Sequence, residues 1–292
     1  CSPGSAATQL GSTTCETCSV GFFSAVHASS RCDACDPGTF SSQEGSVGCD
    51  KCPVGSSAEQ AGSSACEVCS AGTFAEEPSH DAVGSVRCQA CPLGQYSSAE
   101  GQTACNSCAV GYFAATEGST ACDPCQPGSF NDETGARVCD LCPVGAKSEN
   151  QASTSCDECA PGTFASLEGS STCTECPHGS FQSSQGAYEC TLCSTGYYAH
   201  ESGSMTCSAC EPGTYSETEG ARICQLCQPG SFSGEASNEC VLCAVGAFAS
   251  NEGSEECTAC DAGTFADVEG KDACTPCASG FFVNTNGAST CD

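Results

Sequence analysis

Cysteine returns along this chain with a fixed beat, and no other feature limits its fold so tightly. The second cysteine of successive CxxC pairs stands at Cys1, Cys18, Cys35, Cys52, Cys69, Cys91, Cys108, Cys125, Cys142, Cys159, Cys176, Cys193, Cys210, Cys227, Cys243, Cys260 and Cys277. Every step is 17 residues except two. The repeat at Cys69 runs to 22, through an insertion around "AEEPSHDAVGS", and the repeat at Cys227 to 16. The 292 residues therefore read as one continuous array, 1–292, of seventeen short repeats.

Numbered from that cysteine, position four is Gly in all seventeen repeats, from Gly4 to Gly280. Such uniformity calls for φ > 0 or for a close approach that leaves no room for a Cβ. Pro stands before it in stretches such as Pro37-Gly38 and Pro161-Gly162, which marks a tight turn. Position six is Phe or Tyr in fourteen repeats, and a second turn follows near position eleven, as at Glu44-Gly45 and Glu117-Gly118. The pattern predicts small disulfide-rich units of turn, strand and turn, with short β-hairpins and no helix of note. The sixth-position ring is expected to pack on its own disulfide and on the next repeat.

Composition explains why the cysteines are needed. The chain has 34 Cys and 33 Gly, but seven Leu, one Ile and no Trp. Apolar burial alone does not offset the conformational entropy of such a chain. A cysteine fraction this high marks a disulfide scaffold formed in an oxidising compartment, hence a secreted or cell-surface protein. No apolar run approaches the roughly 18 residues of a membrane span. The chain starts at Cys1 without Met, as expected of a mature chain or a segment of a longer one. A net charge of −29 with seven basic residues excludes nucleic acid and anionic membranes as natural partners.

Spacing alone does not decide which cysteines pair. Bridges within each CxxC would strand Cys1 and Cys291, and interleaved pairing would call for a 34-residue period that the sequence lacks. Serial pairing uses all 34 cysteines. It predicts Cys1–Cys15, Cys18–Cys32, Cys35–Cys49, Cys52–Cys66, Cys69–Cys88, Cys91–Cys105, Cys108–Cys122, Cys125–Cys139 and Cys142–Cys156. It continues with Cys159–Cys173, Cys176–Cys190, Cys193–Cys207, Cys210–Cys224, Cys227–Cys240, Cys243–Cys257, Cys260–Cys274 and Cys277–Cys291. Zinc ribbons have similar spacing, but thiolate sites take cysteines in fours, which 34 does not allow.

Stretches such as "CDPGTFSSQEGSVGCDKC", "CAPGTFASLEGSSTCTEC" and "CEPGTYSETEGARICQLC" resemble the ephrin-receptor-like cysteine-rich repeat. They also resemble the EGF-like, single-disulfide modules of tumour-necrosis-factor-receptor and growth-factor-receptor ectodomains. The resemblance covers the whole chain. It implies an elongated, extracellular, disulfide-laddered rod, of the kind found in large surface proteins of protists and algae. The alternation with double-disulfide modules seen in death receptors is missing, so no ligand contacts carry over.

Catalytic signals are not found. His27, His80, His178 and His200 occupy different positions of their repeats, and no nucleophile motif, phosphate loop or metal-protease motif occurs. We expect no enzyme activity, no cofactor and no metal site. There is no Asn-x-Ser/Thr sequon, while Ser and Thr are frequent enough to carry O-linked glycans.

A slower beat runs over the fast one, with a period of five repeats, or 85 residues. A second aromatic, at position five, occurs in repeats 2, 7, 12 and 17 alone: Phe22, Tyr112, Tyr197 and Phe281. "GARVCDL" and "GARICQL" place Arg137 and Arg222 in repeats 8 and 13. Repeats 4 and 9 share "PVG" and lack the sixth-position ring. Residual similarity from a duplicated five-repeat block would produce this beat. So would an external contact made once per five repeats, since a thin repeat cannot bury two adjacent rings. The six residues are candidate assembly contacts, the arginines toward carboxylates of an adjacent rod. The expected function is an extracellular structural rod that builds a filament, sheath or mastigoneme-like appendage with copies of itself or other surface proteins. The alternative is the stalk or ligand platform of an adhesion protein or receptor.

Overall fold

The computed structural model describes residues 1–76 and 84–292. The middle of the inserted stretch in the fifth repeat, including His80, lies outside the described residues. Contacts divide the chain into two compact units. One holds Cys1–Asp140 with Asn150–Ser155, the other Leu141–Glu149 with Cys156–Asp292.

Each repeat begins with a four-residue turn. The N–H at position five donates to the carbonyl at position two, as from Thr39 to Asp36 at 2.9 Å, and Gly38 between them has φ 84°. A positive φ at the third residue of such a turn is the type II arrangement, which Gly adopts without steric penalty. Positions five and six then form a two-residue strand in repeats 1 to 16. Its partner is the pair of residues inside the following CxxC. Thus Ser5–Ala6 lies antiparallel to Glu16–Thr17, and Tyr112–Phe113 to Asp123–Pro124. The first compact unit has seven such hairpins within it. The second has eight. No helix occurs among the described residues.

Every bridge joins the first cysteine of a repeat to the cysteine that closes it. The pairs run from Cys1–Cys15 through Cys69–Cys88 and Cys227–Cys240 to Cys277–Cys291, seventeen in all. A loop of this length closed by a disulfide stabilises by about 3 kcal/mol in the chain-entropy model.

Repeats are joined by backbone hydrogen bonds. In the first unit, Gly21 N–H donates to Ser41 O at 2.8 Å, and Gly45 N–H returns the contact to Cys18 O at 2.7 Å. In the second, Gly179 N–H reaches Ala199 O at 2.9 Å, and Gly203 N–H reaches Cys176 O at 2.8 Å. Contact also extends to the next repeat but one. A β-carbon built on Gly179 would lie 1.9 Å from the carbonyl oxygen of Gly220, two repeats on. Position four is thus Gly for two reasons at once: its φ and this approach.

The core differs from the column of aromatic clusters that the sequence suggested. The deeply buried side chains are the first cysteine of the repeat and the small residue at position seven, such as Ala75, Ser97, Ala114 and Ala266. The sixth-position rings of Phe23, Phe40, Phe113 and Tyr198 are half-buried, on the flank of the hairpin. A backbone approach this close leaves volume for a methyl or a hydroxyl between repeats, and the rings are displaced outward. Buried serines at position seven donate to backbone carbonyls, Ser97 Oγ to Ala99 O at 3.1 Å and Ser233 Oγ to Thr214 O of the preceding repeat at 2.9 Å.

Candidate interaction surface

Position five tests whether the second rings serve the fold. Where it is Ser or Thr, the side chain turns inward and reinforces the type II turn. Thr39 Oγ1 donates to Asp36 O, Ser180 Oγ to Pro177 O and Ser231 Oγ to Gln228 O, each at 2.7 Å, and all three residues are buried. An aromatic residue gives up that bond. Phe22 is 36% exposed, Tyr112 and Tyr197 each 39%, and Phe281 58%. The backbone turn itself survives, with Tyr112 N–H donating to Ala109 O at 3.0 Å. Four repeats thus exchange a buried hydroxyl for a solvent-facing ring.

Part of the Phe22 ring is used within the chain. A β-carbon on Gly62, two repeats on, would lie 3.5 Å from its Cζ. Around Tyr112 the structure forms an open groove of about 310 Å³ between repeats 6 and 7, lined by Tyr96, Ser98, Ala109, Tyr112, Thr120 and Ala121. The corresponding groove between repeats 1 and 2 has about 330 Å³ and includes Ala6, Thr8, Phe22 and Glu16. In the second unit, Tyr198, His200, Glu211 and Thr214 line the same place between repeats 12 and 13. There a Thr stands where Tyr112 stands in the first unit.

The cations divide into two sets. Arg31 pairs with Asp33 at 2.8 Å, Lys271 with Asp267 at 3.2 Å, and Lys147 with Glu149. The hydrogen bond from Lys271 holds the Asp267 carboxyl below its usual value, at an exposed site. Arg137 and Arg222 are exposed, as are Lys51 and Arg87, and among the described residues none of these four side chains has an ion pair or hydrogen bond. The histidines do not converge: His178 Nδ1 lies 2.6 Å from the backbone carbonyl of His200, and His27 is exposed. No group of metal-ligating side chains occurs among the described residues.

Two features escaped the sequence reading: the buried position seven and the contact between alternate repeats. The first had a signal, since position seven is Ala or Ser in fourteen of seventeen repeats. The second had half a signal: the invariant glycine predicts a close approach, but a carbonyl partner leaves no trace of which repeat supplies it.

The family model for "Tyrosine-protein kinase ephrin type A/B receptor-like" repeats matches six times, over residues 21–69, 79–121, 111–159, 162–204, 196–232 and 230–270. The matches cover more than half of the chain, and the chain belongs to this family of cysteine-rich repeats. No curated protein matches it. Its disulfide-rich repeats are those of an extracellular or cell-surface protein, structural or receptor-like. Among the described residues no helix is long and apolar enough to cross a membrane.

Proposed function

We propose that the array is a structural element of an extracellular assembly, a filament, sheath or mastigoneme-like appendage. It is held together by lateral contacts at Phe22, Tyr112, Tyr197, Phe281, Arg137 and Arg222. The partners are copies of the chain or other proteins of the same surface. The observation that supports this reading is the position-five exchange, in which a ring faces solvent at the position where, in other repeats, hydroxyl residues such as Thr39 and Ser180 turn inward. A bare spacer has no need of exposed rings at one position on a five-repeat beat.

Sedimentation and electron microscopy of the purified chain test the proposal. Higher-order species should form with rising concentration, and Tyr112→Thr with Tyr197→Thr should reduce them while leaving the disulfides intact. Unchanged assembly in that variant would remove the rings from the contact. The family match favours a second reading, a receptor stalk or ligand platform. In that case the chain stays monomeric and the same rings bind another protein.

A further inference from the structure

We infer that the lateral contact is made by an arginine of one copy stacking on a fifth-position tyrosine of another. Arg137 and Arg222 would provide the guanidinium groups, and Tyr112 and Tyr197 the rings. The inference rests on the lateral-contact reading above and names the chemistry of that contact.

The two sets of residues are matched in each compact unit. The first unit carries Tyr112 and Arg137, the second Tyr197 and Arg222, and in both the arginine follows the tyrosine by 25 residues. All four side chains are exposed. Beside the phenylalanines Phe22 and Phe281, each unit therefore offers one fifth-position tyrosine and one arginine on the five-repeat beat, and can give and receive one contact of the same kind.

Charge selects the cation as occupant. A second copy carries the same net charge of −29 and is repelled as a whole, so the groups of it that are drawn to this surface are its few positive ones. The Tyr112 groove has no basic residue in its lining and presents two phenol rings, Tyr96 and Tyr112. A ring face attracts a guanidinium, and the planar group stacks on it as an ammonium does not. Carboxylates are the other choice for these arginines. The chain has 36 of them, so an exposed pair would single out no register, and such pairs contribute little. The rings, by contrast, recur on the same five-repeat beat as the arginines.

The self-association constant of the full chain, measured by sedimentation, tests the pairing. Arg137→Lys with Arg222→Lys keeps the charge and loses the planar group, and should weaken association about fivefold or more. Tyr112→Phe with Tyr197→Phe keeps the rings and should stay within about twofold of the parent chain. Adding the lysine changes to Tyr112→Thr and Tyr197→Thr should cause no further loss. Raising NaCl from about 50 to about 500 mM should leave association unchanged or stronger, because like-charge repulsion is screened. If the lysine variant associates like the parent while the threonine variant does not, the lateral contact stands and the arginine pairing falls. A steep loss with salt would assign the arginines to carboxylates and overturn the stacking. A chain that remains monomeric, or threonine variants that assemble normally, would overturn both readings.

Discussion

The carbonyl oxygen of Ala152 stands 2.2 Å from where a β-carbon on Gly111 would be placed, although 41 residues and one whole repeat separate them. Both lie in the first compact unit. The relation recurs between Gly145 and Gly186 in the second, at 2.0 Å. It ties each repeat to the second one after it, through backbone and without side chains, so the invariant glycine is a packing residue as much as a turn residue.

Two glycines of the same repeat separate these roles. Gly111 and Gly118 both have positive φ, 80° and 75°. A β-carbon at Gly118 would meet only ordinary contacts, the nearest being Ala90 Cβ at 3.8 Å, and Ala28, Ala152 and Ala236 already adopt positive φ elsewhere. Gly118→Ala should cost about 1 kcal/mol. Gly111→Ala adds a clash with backbone, which has no rotamer to yield, and should cost about 3 kcal/mol or more. Guanidinium unfolding of the oxidised chain reads the difference. Equal costs would mean that contact between alternate repeats contributes nothing.

Peptide mapping without reduction should link Cys91 to Cys105 and Cys108 to Cys122, as the structure pairs them. Recovery of a Cys105–Cys122 peptide would overturn the serial ladder. Opening one bridge, with Cys108→Ser and Cys122→Ser together, should cost about 3 kcal/mol. Full reduction should unfold the chain, since methyls and hydroxyls at position seven form too small a core to fold it.

Position seven supplies a third test. Ala165 is buried, and its N–H donates to Ala187 O of the next repeat at 3.1 Å. Ala165→Leu would force the two backbones apart and should cost about 1–3 kcal/mol. Ala165→Ser introduces a residue that other repeats carry there and should stay within about 1 kcal/mol. Similar midpoints for both variants would move the core away from position seven.

Much of this architecture was legible because each repeat solves the same problem with the same residues. Seventeen aligned copies turned Gly4, Gly21 and their counterparts into evidence for a strained turn, and serial bridging followed from keeping every repeat equivalent. The core is less legible, because rings such as Phe40 are the largest apolar groups available and their size points to them as the buried residues. Backbone hydrogen bonds between repeats set a spacing that admits Ala or Ser instead. The exposed rings were legible as an anomaly of pattern, but their loss of the turn hydroxyl bond emerged only once Thr39 and Ser180 were seen to use it.

Acid tests the proposed stacking of arginine on tyrosine in a second way. The chain has a net charge of −29 at neutral pH and an isoelectric point near 4.1. Lowering the pH from 7 toward 5 begins to protonate carboxylates and weakens repulsion between copies, while arginine remains charged and tyrosine remains neutral. Stacking of Arg137 and Arg222 on tyrosine rings should therefore strengthen as the pH falls. Pairing with carboxylates would keep its acceptors over this interval and gain from the same loss of repulsion, so the tyrosines carry the distinction. The Tyr112→Thr, Tyr197→Thr variant carries the same titrating charge, so it corrects for general aggregation as the isoelectric point is approached. Sedimentation of the parent chain and this variant at pH 7, 6 and 5 should show the gap between them widening. A gap that stays constant or closes with acid would overturn the stacking on the tyrosine rings.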